Sequence, residues 1–274
     1  MKLNFYSLGS GSSGNSLYLG NEFHGILIDA GISCGFIRKS LKKIGISFNN
    51  ILGVFITHNH FDHIKGLEVL TRKNSIPAFT TENIWKSILS PPISHTINRD
   101  CVRKIPLLQK FHLAGFDIEA FPVSHDAPET VGYHINFEGK KFTIVTDLGH
   151  ICQTAAGYIK KANILVIESN YDEYMLQTGH YPFFLKKRIQ SDNGHLGNHQ
   201  TAAFLAEVFH DRLTHICLAH LSKNNNTPEK ALHSLNQALN EKGIVLNGRQ
   251  KIVILNRSVP TEIIRLEDKE SVLF

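Results

Sequence analysis

Cysteine is scarce. The four in 274 residues, Cys34, Cys101, Cys152 and Cys217, form no Cys-x-x-Cys pair, so a zinc ribbon is excluded and a disulfide framework has no support; a reducing cytoplasm is the simplest compartment. Long apolar runs are missing too. None approaches the roughly 18 residues that a membrane-spanning helix requires, and the first residues enter a strand pattern at once instead of a leader. A soluble, cytoplasmic chain with neither export signal nor membrane anchor is therefore expected. Charge is thin as well: Asp, Glu, Lys and Arg together make 19% of the chain, which argues against long disorder. No linker, low-complexity tract or fixed-period repeat interrupts the sequence. What is present is 42% hydrophobic residues, ample for a packed core at this length. The formal net charge of +5 leans only weakly towards an anionic partner, because many basic enzymes bind no nucleic acid.

The densest chemistry lies in Thr57-His58-Asn59-His60-Phe61-Asp62-His63, where three histidines and an aspartate fall within six positions. They follow the apolar run Ile51 to Thr57, which reads as a buried strand delivering the cluster to a sheet edge. In an extended turn His58 and His60 point the same way, since side chains alternate. Asp62 and His63 then open a helix with Ile64, Leu67, Val69 and Leu70 on its apolar face and Gly66 at a close approach. The helix entry aims them at a second point, so the spacing suits two adjacent metal ions. Imidazole and carboxylate at this density would otherwise bury or repel charge for no return.

Elsewhere the pattern is mixed. Strands are expected at Lys2 to Leu8, Ser16 to Leu19, Gly25 to Asp29 and Ile76 to Thr80, and helices at Phe36 to Ile44 and Glu82 to Leu89, the latter stopped by Pro91-Pro92. Short β segments follow at Val102 to Leu107, Phe116 to Val123, Val131 to Phe137 and Lys141 to Thr146. Helices and strands then alternate: Cys152 to Lys161, Ile164 to Glu168, Pro182 to Gln190, Gln200 to Phe209, Ile216 to Ala219, Pro228 to Leu239 and Lys251 to Leu255. Two mixed sheets packed face to face with helices outside are the expected arrangement. Asp29 ends a buried strand at the edge where the histidines emerge, and is expected to orient ligands from behind. The Gly9 to Asn15 loop reads equally as a phosphate nest, with Ser12, Ser13 and Asn15 as contacts, or as an ordinary hairpin connection.

The His-x-His-x-Asp-His pattern after an apolar strand resembles the signature of the metallo-β-lactamase superfamily. That resemblance implies a four-layer αββα sandwich of two mixed β-sheets, as a single domain over residues 1–274. It also gives meaning to three later positions, each at the carboxyl end of an apolar strand: His125 in Ser124-His125-Asp126, Asp147 in Thr146-Asp147-Leu148-Gly149, and His220 in Leu218-Ala219-His220-Leu221. The implied inventory is His58, His60 and His125 on one ion, Asp62, His63 and His220 on the other, and Asp147 bridging. Zinc tolerates this N/O mixture; manganese is the alternative. Flavodiiron relatives would carry a carboxylate where His60 stands and a flavodoxin-like partner domain, and neither holds here. Hydrolysis is therefore favoured over redox chemistry, by a hydroxide generated between two ions about 3.5–4 Å apart.

Between Asn170 and Gln200 lies more chain than a metal site requires. It carries Tyr171, Tyr174, Tyr181, the basic run Lys186-Lys187-Arg188, and Gly194-His195-Leu196-Gly197-Asn198. Aromatics interleaved with bases suit a nucleic-acid strand, although Pro182 to Gln190 also reads as an ordinary amphipathic helix. The Gly9 to Ser16 loop, the Glu168-Ser169-Asn170 strand end and the Gly-His195-Leu segment resemble the bacterial YycJ/WalJ-like proteins, one departure being Gly197 where serine is expected. This implies a metal-dependent nuclease acting on DNA, with RNA as the alternative, from the 5′ end. His195 is the expected acid for the leaving oxygen, Asp62 counts as a catalytic group as well as a ligand, and Asn198 is expected to cap the following helix and meet substrate. A small-molecule metallohydrolase of thioesters, lactones or cyclic phosphodiesters would use the same metals, and a non-catalytic partner-binding protein is the third reading.

Overall fold

The computed structural model describes residues 2–91 and 96–267. The described residues divide into two compact units, residues 2–80 with 85–91, 96–104 and 256–267, and residues 81–84 with 105–255. Pro92, one of the expected helix stops, lies outside the described residues.

The first unit is built on β1 (Lys2–Gly9), β2 (Ser16–Gly20), β3 (Gly25–Ile28), β4 (Ile51–Phe55), β5 (Ala78–Thr80) and β6 (Val102–Lys104), hydrogen-bonded in that order. β1 to β3 pair antiparallel and β3 to β6 parallel. The switch to parallel pairing needs a crossover, which α1 (Cys34–Lys43) supplies between β3 and β4. Ile28 pairs with Phe55, so Asp29 and the Thr57–His63 segment leave the sheet at one edge. The helix expected after His60 is broken in two, α2 (Phe61–Ile64) and α3 (Leu67–Asn74). Between them Gly66 passes against the backbone beyond β3: its N–H donates to the Ala30 carbonyl at 2.7 Å, and an added Cβ would lie 2.4 Å from the Ile32 oxygen.

After α4 (Glu82–Ile88), the second unit carries β7 (Lys110–Leu113), β8 (Phe116–Val123), β9 (Thr130–Phe137), β10 (Lys140–Val145), β11 (Ile164–Glu168), β12 (His215–Ala219) and β13 (Lys251–Ile254), again in one sheet. β7 to β10 are antiparallel; β10 to β13 are parallel. The parallel strands β11 and β12 are buried throughout, which is why they read as unbroken apolar runs. On one face Leu165, Ile167, Ile216 and Leu218 pack with residues of α5 (Gln153–Ile159), α8 (Asn198–Val208) and α9 (Pro228–Glu241). Two short helices, α6 (Glu173–Thr178) and α7 (Phe183–Ile189), occupy the long segment after β11. β14 (Ile264–Glu267) returns to the first unit, antiparallel to β1.

β7, α6 and β14 were not expected from the pattern. β7 alternates only between exposed and half-buried, and α6 has one buried residue, Leu176, so neither shows the apolar period that marks an element. No helix of the described residues is long and apolar enough to cross a membrane.

Two glycines in the first unit have opposite expected outcomes. An alanine Cβ at Gly31 would fall 1.5 Å from the Asp62 carbonyl oxygen, so Gly31→Ala should destabilise by about 1–3 kcal/mol or more. At Gly35, inside α1, a Cβ meets nothing within 4 Å, and Gly35→Ala should stabilise by about 0.5–1 kcal/mol. Denaturant unfolding of both variants checks the pair; equal effects would contradict the close approach at Gly31.

Candidate functional site

In the first unit the chain leaves β3 through Asp29, whose φ of 61° is left-handed. This bend turns the carboxylate back towards Thr57, beyond the end of β4. Its Oδ1 accepts from the Thr57 N–H at 2.8 Å, and Oδ2 accepts from the Thr57 hydroxyl at 2.9 Å. Held in that way, Oδ2 lies 2.7 Å from His63 Nδ1. A carboxylate can only accept, so Nδ1 carries the proton and Nε2 is left with the lone pair. The His58 ring sits between the other two, its centroid 4.6 Å from His60 and 4.0 Å from His63. His58 and His63 are buried, while His60 and Asp62 are half-buried, so the cluster has a closed back and an open front. Asp62 Oδ2 is 3.8 Å from His63 Nε2.

The second unit repeats this construction around Glu168, the last residue of β11 and fully buried. Its Oε1 accepts from His195 Nδ1 at 2.8 Å and from His220 Nδ1 at 2.9 Å. Its Oε2 accepts the backbone N–H groups of Leu148 at 3.0 Å and Leu196 at 3.3 Å. Burial alone would push the carboxyl up, but the two imidazoles outweigh it and hold Glu168 below the usual carboxylate range. Burial pulls His195 down, and the Glu168 carboxylate overcomes this and raises it above the ordinary imidazole value. His125, beyond β8, has its Nδ1 3.0 Å from the Gly194 carbonyl, and burial lowers its pKa. Asp147 follows β10 at φ 59° and His220 follows β12 at φ 56°, both left-handed like Asp29.

These bends stand at neighbouring strand ends. Val145 pairs with Ile167, and Glu168 with Ala219, so Asp147, Glu168 and His220 emerge side by side. Asp147, Glu168, His195 and His220 each offer a donor atom within 4.8 Å of one another. Glu168 accepts from both imidazoles, so Asp147 and His220 are the members of this group that fit as ligands of a divalent cation.

The His195 turn is stitched to the end of β11. The Asn170 N–H donates to the Leu196 carbonyl at 2.8 Å, and the Asn198 N–H to the Tyr171 carbonyl at 2.8 Å. At Gly197 an added Cβ would lie 2.4 Å from Glu173 Oε1 and 3.0 Å from the Tyr171 ring, so a serine there would require the Glu173 side chain to shift. The Gly197 N–H donates instead to Gln200 Oε1 at 2.8 Å.

Three sequence expectations change. Asn198 does not cap α8 and does not face substrate: the cap is Gly197, and Asn198 is 1% exposed, its amide bound to Ser169 and Asn226. Asn15 is buried, with its Nδ2 3.0 Å from His63 Nε2 and its N–H donating to the Asp62 carbonyl at 2.8 Å, which makes it a positioning residue. The N–H groups of Ser10, Gly11, Gly14 and Asn15 all have protein acceptors, so the loop is a brace and not an open nest; Ser12 and Ser13 are its exposed residues. Of the basic run, Arg188 pairs with Asp126, Lys186 donates to the Gln177 carbonyl at 2.7 Å, and Lys187 lies 5.0 Å from the Phe183 ring centroid. Glu168 had been read only as a strand end. Its signal was a carboxylate closing an otherwise wholly apolar strand, the same signal that singled out Asp29.

If Asp29 and Glu168 fix the tautomers of the histidines in front of them, Asp29→Asn and Glu168→Gln should each weaken metal binding about 10- to 100-fold. Titration of the metal-free variants with zinc, alongside circular dichroism to establish folding, reads this directly. Unchanged affinity in a folded variant would remove that role.

The chain matches the β-lactamase superfamily domain model over residues 24–216. It is 38% identical to exodeoxyribonuclease YycJ of Bacillus anthracis over 271 residues, covering 96% of this chain and 99% of the relative. It is 35% identical to exodeoxyribonuclease WalJ of Streptococcus pneumoniae over 224 residues, covering 82% and 83%. Among solved structures it is similar to the metallo-β-lactamase fold protein YhfI of Bacillus subtilis, with a TM-score of 0.71 at 12% identity, covering 97% of this chain and 100% of the other. Two mixed sheets flanked by helices, with donors at the strand ends, are therefore the metallo-β-lactamase fold, and the chain belongs to the β-lactamase superfamily.

Proposed function

We propose that the chain is a metal-dependent nuclease that hydrolyses DNA phosphodiesters from the 5′ end, acting as a single domain with two divalent ions, zinc or manganese. The residues that would hold them are His58, His60, Asp62, His63, His125, Asp147 and His220. The observation that carries the reading is the anchoring of His63, His125 and His220 through Nδ1 by Asp29, the Gly194 carbonyl and Glu168, which leaves Nε2 of each as the electron-pair donor. The DNA substrate is supported by the two relatives named as exodeoxyribonucleases.

Bound divalent ions supply Lewis acidity, lowering the pKa of water and neutralising charge on the phosphate. The remaining work falls to side chains. Asp62 takes the proton of the attacking water. His195, whose Nδ1–H is held by Glu168 and whose imidazolium that carboxylate favours, presents Nε2–H to the departing sugar oxygen in its doubly protonated form. Tyr174, Phe183 and Phe184 are exposed on α6 and α7, unusual for residues of that size, and offer faces for unpaired bases to stack on. Lys187, beside Phe183, meets the backbone charge.

Metal-reconstituted protein incubated with end-labelled DNA and RNA should release mononucleotides from the 5′ end of DNA, at close to two equivalents of bound metal. His63→Ala should lower the metal content towards one. A saturating stoichiometry of one, unmoved by His63→Ala, would overturn the dinuclear assignment, and turnover of a thioester without nucleolysis would transfer the protein to small-molecule hydrolysis. The acid has its own test. His195→Ala should retain metal and stability, lose roughly 100- to 10,000-fold in rate on DNA, and recover most of it on a nitrophenyl phosphodiester, whose leaving group needs no proton. Equal losses on both substrates would make His195 a ligand or a structural residue.

A further inference from the structure

A cavity of about 200 Å³ lies wholly within the first unit, its polar lining made by Ser13, Ser33, Lys65, Arg257 and Ser258, with Phe36 on an apolar side. Among the described residues no acidic one lines it. Among the described residues, neither Lys65 nor Arg257 has a carboxylate within ion-pair distance, so two positive charges face one small space without counter-charge. Arg257 is held there. Its aliphatic stem lies across Gly11, where a Cβ would meet Arg257 Cγ at 3.1 Å, and the neighbouring Asn256 carbonyl accepts from the Ser10 N–H at 3.0 Å. Ser13 Oγ and Ser258 Oγ are 3.4 Å apart. Ser33 caps α1, accepting from the Phe36 N–H at 3.3 Å, and the first turn of that ten-residue helix holds no acidic residue, so its positive end adds to the same field.

We propose that this cavity binds a phosphate monoester, the terminal phosphate of the nucleic-acid strand that the enzyme degrades. The carrier of the phosphate rests on the nuclease reading; the phosphate chemistry does not. A monoester carries about −1.5 to −2 charges at neutral pH, matching two cations, whereas a backbone diester carries one. The guanidinium offers a planar fork to two phosphate oxygens, the three hydroxyls supply further donors, and Phe36 gives the sugar or base an apolar surface. The cavity also adjoins the metal-ligand loop by covalent proximity. Ser13 is two residues before Asn15 and Lys65 two residues after His63, and Asn15 Nδ2 is 3.0 Å from His63 Nε2. A strand end anchored here would enter with its terminus fixed, which selects the end from which degradation starts.

The test uses the full chain kept metal-free with chelator, so that binding is read without cleavage. Fluorescence anisotropy is measured for single-stranded DNA bearing a 5′-phosphate, a 3′-phosphate, or hydroxyls at both ends, with inorganic phosphate as competitor. The wild type should prefer the 5′-phosphorylated strand over the hydroxyl strand by roughly 10- to 100-fold, the range of one or two charge-assisted hydrogen bonds, and inorganic phosphate should erase that preference. Arg257→Met keeps the stem on Gly11 while removing the fork, and the exposed Lys65→Gln is independent of that packing; each should abolish most of the preference. A 3′-phosphate preference sensitive to the same variants would keep the cavity and overturn the assigned end. No preference for either phosphorylated strand, or one that survives both substitutions, would overturn the site. Phosphate binding through Arg257 in a protein that, given metal, cleaves neither DNA nor RNA would instead overturn the nuclease reading and leave the cavity standing.

Discussion

An imidazole donates an electron pair to a cation only from the nitrogen that carries no proton, so the chemistry of this chain depends on what stands behind each ring. Asp29 stands behind His63, and Glu168 behind both His195 and His220. Neither carboxylate is left to choose its own position. Thr57 fixes the first through its hydroxyl and N–H, and the N–H groups of Leu148 and Leu196 fix the second. Removing water from a carboxylate is expensive unless it is fully hydrogen-bonded, and here the burial and the bonding are supplied together. The same contacts therefore keep a charge buried and set a tautomer.

Parallel pairing explains why such groups collect where they do. Strands running the same way present their carboxyl ends to one edge, so in each unit the residues that follow neighbouring strands become neighbours themselves: Asp29 with Thr57, and Glu168 with Asp147 and His220. Within unit two, a single residue closing a strand can then serve two histidines that are 25 positions apart in the chain. The segment between Glu168 and His195 carries α6 and α7, on which Tyr174, Phe183 and Phe184 are exposed.

Much of this was legible in the sequence because burial on both faces writes an apolar run with a polar full stop. β4, β8, β11 and β12 and the residues just beyond them were read within a residue or two. The reading ran out where an element has little to bury, as in β7, α6 and β14, and where tertiary contacts decide the role of a polar side chain. Asn15 and Asn198 looked like surface asparagines available to a ligand. Both are buried braces, and nothing local distinguishes the two cases, since the groups that hold Asn198 come from residues 169 and 226. Glu168 was underrated for the same reason: its two histidine partners lie 27 and 52 residues away.

The left-handed backbone at Asp29, Asp147 and His220 carries a consequence for how this protein can change over time. Each such residue costs of order 1 kcal/mol relative to glycine in the same conformation, and none can be replaced by glycine without losing the group the bend exists to present. Selection for a sturdier fold and selection for a working centre therefore pull in opposite directions at these three positions. A copy of the gene released from its catalytic duty should drift there first, towards glycine and asparagine, and gain stability as it does so, so that loss of activity would be written in the bends before it reached the histidine motif.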